Sequence, residues 1–263
     1  MRARKVIDGV TWVGSVDWDR QLFDELIPLP DGTSYNAYLL TGSEKTALID
    51  TVDPAKTDEW RVLLDAAGIS KIDYVIANHA EQDHAGSIPY ILQRFPAAQL
   101  VCTPKAKGLL MDLLHVASDR FVTVEDGATL SLGDMTLEFI HAAWVHWPET
   151  MLTYVKEKKA LFPCDLFGSH LATSELFISD PSHVYRPAKR YFAVIMMPFR
   201  NVIVKHLERL AAYDIELIAP SHGPLYADPH PIMDMYRQWV SGPLANKVVV
   251  PYVSMHGSTQ VMV

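Results

Sequence analysis

Cysteine is scarce: Cys102 and Cys164 are the only two in 263 residues. Two thiols in a chain of this length make no disulfide framework and suit a reducing compartment. No apolar run approaches the roughly 20 residues that a membrane-spanning helix needs. The opening Met-Arg-Ala-Arg-Lys-Val is basic but lacks the apolar stretch of a secretory signal. The expected location is therefore the cytoplasm, with no membrane partner. Positive charge is short as well. A formal net charge of −8 and a pI of about 5.7 remove the electrostatic case for nucleic acid. No repeat of fixed period and no low-complexity segment stands out. What remains is an ordinary globular composition, 49% hydrophobic and 21% charged.

Against that background one stretch is unusual. The buried-strand pattern of 74–77 is followed by His79, Glu81, Asp83 and His84 within six positions. Alternate residues of an extended segment point the same way, so His79, Glu81 and Asp83 are expected to converge on one point. His84 adds a second imidazole as the chain turns towards a helix. Imidazole nitrogens and carboxylate oxygens in this concentration are transition-metal donors. Three later apolar strands end in the same way, offering His146, Asp165 and His222. Singly, each is an ordinary turn residue. Jointly, they gather where the loops of one sheet edge meet.

The periodicity predicts an opening strand over 5–13 and a hairpin from 36–40 and 46–50. A helix follows over 58–67, with Trp60, Leu63, Leu64 and Ala67 on one face and Gly68 at its end. Further helices are expected over 87–94, 104–114, 190–199, 202–213 and 232–240. Short strands are expected over 99–103, 121–124, 128–132, 135–141, 151–155, 160–163 and 217–220. Strand–helix alternation around a run of hairpins implies an α/β (α+β) fold, a mixed sheet sandwich covered by helices. Gly242-Pro243 then breaks the chain. The pattern at 247–253 reads as a buried strand, and 254–259 as a hydroxyl-rich loop of the kind that cradles phosphate. The expected division is a metal domain over 1–242, then a linker and the start of a second domain over 243–263.

His79-x-Glu81-x-Asp83-His84, with His146, Asp165 and His222 in that order, resembles the metallo-β-lactamase superfamily. More closely, it is similar to the diiron module of the flavodiiron proteins. Hydrolases of the superfamily carry a second His where this chain has Glu81, and that change marks the flavodiiron branch. Thr33-Ser-Tyr-Asn-Ala-Tyr-Leu39, Leu48-Ile-Asp-Thr51, His146-Trp-Pro-Glu-Thr150, Asp165-Leu-Phe-Gly168 and Pro220-Ser-His-Gly223 support it. The resemblance covers roughly 5 to 240, and 247–263 is similar to the first strand and phosphate loop of an FMN-binding flavodoxin domain.

It implies an αββα metallo-β-lactamase-like sandwich with two irons at one edge. One iron would take His79, Glu81 and His146, and the other Asp83, His84 and His222, with Asp165 and solvent bridging. Asn78, Glu149 and Asp50 would orient ligand imidazoles. Trp144 and Trp147 would dry the pocket, and His170 would lie near Asp165. Ser254, Ser258 and Thr259 would be a remnant of the FMN phosphate loop. The implied activity is reduction of dioxygen to water or of nitric oxide to nitrous oxide. The flavin would sit on a missing domain or partner, fed by a flavodoxin-like, rubredoxin-like or flavin reductase donor. A head-to-tail homodimer is implied too.

The extra carboxylate has a physical reading. Glu81, Asp83 and Asp165 are hard anionic donors that favour harder, more oxidised ions, so an iron pair keeps its ligands through a change of charge. Two departures from the family pattern stand out. Its reductases often carry Phe-His-Gly where this chain has Phe23-Asp24-Glu25, and paired tyrosines where it has Tyr191-Phe192. The rival expectations are a freestanding diiron dioxygen sensor and a binuclear metal hydrolase, the second opposed by Glu81.

Overall fold

The computed structural model describes residues 2–242 and 246–263. Pro243, at the expected domain break, lies outside the described residues. A seven-stranded sheet forms one half of the sandwich. Arg4–Ile7 and Val10–Trp12 pair antiparallel around Gly9, whose φ of 78° lets the chain reverse. The single opening strand expected there is thus a hairpin. Val10–Trp12 pairs with Tyr38–Thr41, which pairs antiparallel with Thr46–Ile49. The sheet then runs parallel through Tyr74–Ile76, Gln99–Cys102 and Phe121–Thr123. The intervening helices Thr57–Ala66, Ile88–Arg94 and Pro104–Leu114 provide the crossovers that parallel pairing requires.

The second sheet has the order Thr129–Ser131, Thr136–His141, Met151–Val155, Ala160–Phe162, Leu217–Ile218. It is antiparallel except for the last pair. Every residue of Met151–Val155 is buried, because both faces of the strand are covered. Met151 and Val155 pack with Phe139 and Phe162 towards the first sheet. Leu152 and Tyr154 pack against Val184, Leu207 and Tyr236 of the helices Pro181–Tyr191, Arg200–Leu210 and His230–Ser241. The layers are helix, sheet, sheet, helix.

Three further expectations change. Phe121–Thr123 belongs to the first sheet and not to the hairpin run, since it pairs with Gln99–Cys102. The helix expected from Arg190 starts at Pro181, where the Asp180 side chain accepts the Ser182 N–H and Pro181 occupies the first turn. At 247–253 no strand forms. Val248, Val249 and Val253 are more than four-fifths exposed, and a strand without a neighbour has no ladder to satisfy its backbone.

Candidate metal centre

Four loops leave one edge of the sandwich and turn ligand-type side chains inward. The loop after Tyr74–Ile76 is tied to both sheets before it reaches His79. Asn78 N–H donates to Asp50 Oδ1 at 2.9 Å, and Met151 N–H to Asn78 O at 2.9 Å. Glu81 is extended, and Gln82–Ala85 then forms a helical turn. Alternation stops where the helix begins. Asp83 therefore parts from His79 and Glu81 and groups with His84 and His222, which corrects the expected three-residue convergence. His84 is held from behind, its carbonyl accepting both the N–H and the hydroxyl of Thr51.

The seven residues meet as two groups joined by Asp165. His79, Glu81, His146 and Asp165 each offer an atom within 4.8 Å of the others, as do Asp83, His84 and His222. Asp165 Oδ2 lies 3.5 Å from His79 Nε2 and 3.4 Å from His146 Nε2. Its Oδ1 lies 3.1 Å from His84 Nε2 and 3.4 Å from His222 Nε2. Glu81 Oε2 is 3.2 Å from His79 Nε2 and 3.1 Å from His146 Nε2. Asp83 lies 3.3 Å from His84 Nε2 through Oδ1 and 3.2 Å from His222 Nε2 through Oδ2.

The cluster is short of partners. Among the described residues, both Asp83 oxygens, His84 Nε2 and Asp165 Oδ2 are buried with no hydrogen bond. Leaving one such atom unpaired costs about 1–3 kcal/mol, and more for a charge. Several in one place fit a bound cation, and an all-nitrogen and oxygen set rich in carboxylate fits iron-class ions. Burial opposes charge on Asp165, Glu81 and the four imidazoles, but their neighbours outweigh it. The imidazoles around Asp165 hold its carboxyl well below the usual range, and those of His146 and His79 do the same for Glu81. The carboxylates in turn raise His146 to about 9 and His222 to about 10, with His79 and His84 also raised.

The description "ODP family beta lactamase" matches residues 33–223. The chain belongs to this family. A nitric oxide reductase of Moorella thermoacetica is 39% identical over 264 residues, covering 98% of this chain and 66% of that protein. The type A flavoprotein fprA of Rhodobacter capsulatus is 36% identical over 264 residues, covering 97% and 61%. Among solved structures, the flavodiiron protein from Giardia intestinalis superposes with a TM-score of 0.87 at 35% identity, over 92% of this chain and 60% of that one. Rubredoxin oxygen:oxidoreductase from Desulfovibrio gigas gives 0.84 at 32%, over 91% and 61%. The ODP-family chain thus has the flavodiiron core fold, as its motifs implied, and spans about two-thirds of these relatives or less.

Around the two groups, Glu149 sits behind the ring of His79. Its Oε1 is 2.7 Å from His79 Nδ1 and also accepts the Ala80 N–H at 3.0 Å. Trp147 sets its ring edge-on to His79 at 5.1 Å. Trp144 does not dry the pocket: it is 49% exposed and stacks on Phe199. Asp50 and Asn78 bond to each other, to the Phe162 carbonyl and to the Ser221 and Thr153 hydroxyls, and burial lifts the Asp50 carboxyl to about 6 despite the pull of His84. The Cys164 thiol is pushed up by burial, and its sulfur lies within 4.8 Å of donor atoms of His84 and Asp165. Ser254 lies apart on the exposed tail, where Gly257 has φ 77° and Ser258 and Thr259 open a five-residue helix.

Sequence reasoning missed three partners. Tyr191 donates its hydroxyl to Asp165 Oδ1 at 2.8 Å, although it had registered only as half of an incomplete tyrosine pair. His222 Nδ1 donates to the Ser34 carbonyl at 2.6 Å, and Thr33 Oγ1 lies 2.9 Å from His170 Nδ1. His170 is buried between Phe23 and Tyr191 and is held neutral chiefly by that burial. Asp24 takes φ 50° next to Phe23, and its carboxyl is raised by burial and by Glu81 and Asp83. Asp24, Glu25, Asp50, Trp144, Cys164 and Phe167 all have positive φ, so left-handed backbone concentrates in the loops that carry the site.

Proposed function

We propose that the chain is the diiron part of a flavodiiron-type oxidoreductase that reduces dioxygen to water or nitric oxide to nitrous oxide. The observation that carries this reading is the pair of donor groups with one Asp165 oxygen turned to each. His79, Glu81 and His146 would hold one iron, and Asp83, His84 and His222 the other, with Asp165 bridging. An iron pair supplies redox chemistry at adjacent ions that zinc lacks. The names of the relatives, a nitric oxide reductase and an oxygen:oxidoreductase, favour this over the sensor reading.

The chain's own residues would orient and shield. Glu149 and the Ser34 carbonyl fix the tautomers of His79 and His222, so that each Nε2 faces inward. Phe23 and His170 close one flank against water. Asp24, its carboxyl raised by burial and by the charges of Glu81 and Asp83, lies near the donor groups. Electrons would come from FMN on a flavodoxin-like domain that 243–263 begins, or on a separate partner, fed by a rubredoxin-like protein or a flavin reductase. Ser254, Ser258 and Thr259 would then join the phosphate loop. A head-to-tail homodimer in the cytoplasm would bring that flavin to exposed Trp144, next to His146.

Anaerobic ferrous reconstitution followed by stopped-flow mixing with dioxygen or nitric oxide tests the reading. Binding of two irons per chain and rapid, reductant-dependent consumption of either gas are expected. Exclusive retention of zinc, or iron that reacts with neither gas, would overturn it.

A further inference from the structure

We infer that the two metal positions are unequal, and that Tyr191 sets the inequality by taking a share of the bridging carboxylate. This deepens the diiron reading and rests on it. Asp165 offers one oxygen to each position. Oδ2, towards His79 and His146, has no hydrogen-bond partner among the described residues, so its lone pairs are free for a cation. Oδ1, towards His84 and His222, already accepts the Tyr191 hydroxyl at 2.8 Å. A hydrogen bond to a carboxylate oxygen draws on the same lone-pair density that a cation would use.

The partners behind the imidazoles act in the same sense. His79 Nδ1 is backed by the Glu149 carboxylate at 2.7 Å, and His222 Nδ1 by the neutral Ser34 carbonyl at 2.6 Å. An anion behind a ligating ring raises its basicity. Each group has one further carboxylate, Glu81 or Asp83, so the direct charge is balanced and the difference arises behind it. Tyr191 is 1% exposed, and its ring packs edge-on to His170 at 4.9 Å, which keeps the hydroxyl on Oδ1. Tyr191 is thus a positioning residue. The first ferrous ion goes to His79, Glu81 and His146, and the second binds more weakly.

Anaerobic calorimetric titration of the metal-free chain with ferrous iron tests this. Two steps separated by roughly tenfold or more are expected, the scale of effect known for partners behind metal ligands. Tyr191→Phe keeps the ring and removes only the hydroxyl, so the second step should tighten by about tenfold while the first stays put. Glu149→Gln should weaken the first step by about 10–100-fold and leave the second. Mössbauer spectra of chain loaded with one equivalent of iron should show one dominant ferrous site, and the same one in Tyr191→Phe. Two equal steps in the parent chain, or an unchanged separation in Tyr191→Phe, overturn the inference. Should Tyr191→Phe not fold, Glu149→Gln decides, and equal weakening of both steps overturns it. Failure to bind iron at all sinks the diiron reading instead.

Discussion

Ferrous binding should tighten steeply with pH, because the metal competes with protons that the carboxylates hold on the imidazoles. The surrounding carboxylates lift His146 to about 9 and His222 to about 10 against the opposing effect of burial. At about pH 7, and at about 1.4 kcal/mol per pH unit, stripping these protons costs about 3 kcal/mol for His146 and about 4 kcal/mol for His222. His79 and His84 are raised in the same direction. Each ion must displace the protons of its two rings, so its affinity should rise by up to about a hundredfold per pH unit until the rings titrate. Calorimetry in buffers of different ionisation heat counts the protons released. Release of at least two protons for two ions near pH 7 is expected from His146 and His222, with His79 and His84 adding to it in the same direction. The sign for stability follows from the same shifts. A raised imidazole stabilises the metal-free fold fully below about pH 6.5 and loses that contribution as pH climbs through 9 to 10. The depressed carboxyls of Asp165 and Glu81 contribute above about pH 4 and lose it as pH falls. The melting temperature of the metal-free chain should therefore drop from neutral to alkaline pH, and loaded chain should resist that drop. Release of no protons near neutrality would refute the electrostatic picture of the site.

Asn36→Ala removes the side chain that donates to the Pro220 and Gly223 carbonyls and accepts the Trp12 indole N–H; urea denaturation should show a loss of about 2–4 kcal/mol, with weaker metal binding because the His222 loop is released. Phe139→Ala, in the middle of the sandwich, should cost about 3–5 kcal/mol yet leave two metals per chain by elemental analysis. Asp165→Asn takes the shared charge from both groups, and the same analysis should show the second metal lost. Removing metal with a chelator should lower the melting temperature, since both Asp83 oxygens, His84 Nε2 and Asp165 Oδ2 are then left buried with no hydrogen bond among the described residues.

Much of the fold could be read from residue pattern because both periodicities are strong. Trp60, Leu63 and Leu64 recur at helical spacing and are buried in Thr57–Ala66. The hairpin of Tyr38–Thr41 with Thr46–Ile49 is visible from two apolar runs around a polar turn. The errors share a cause. Phe121–Thr123 has no local sign of which sheet it joins, because its partner Gln99–Cys102 lies across a helix. The early start of Pro181–Tyr191 was hidden because that helix has polar residues at most positions, with only Val184, Pro187, Ala188 and Tyr191 buried. At 247–253 the apolar pattern is real, but strand formation depends on neighbours that these described residues do not provide.

At the site, legibility follows chemical restriction. A metal ligand must be an imidazole, a carboxylate or a thiolate, so His79, Glu81, Asp83, His84, His146, Asp165 and His222 declare themselves by type and by position after apolar strands. The partners behind them face no such restriction. Glu149 was visible because it is itself acidic and close to His146. Tyr191 comes from the end of a helix on the opposite layer, and nothing about a tyrosine there announces a bond to Asp165. Ser34 acts through its main-chain carbonyl, for which almost any side chain would serve. Residues of metal-ligand type can therefore be found from sequence, while those that would make one position stronger than the other emerge only from the packing of the layers around them.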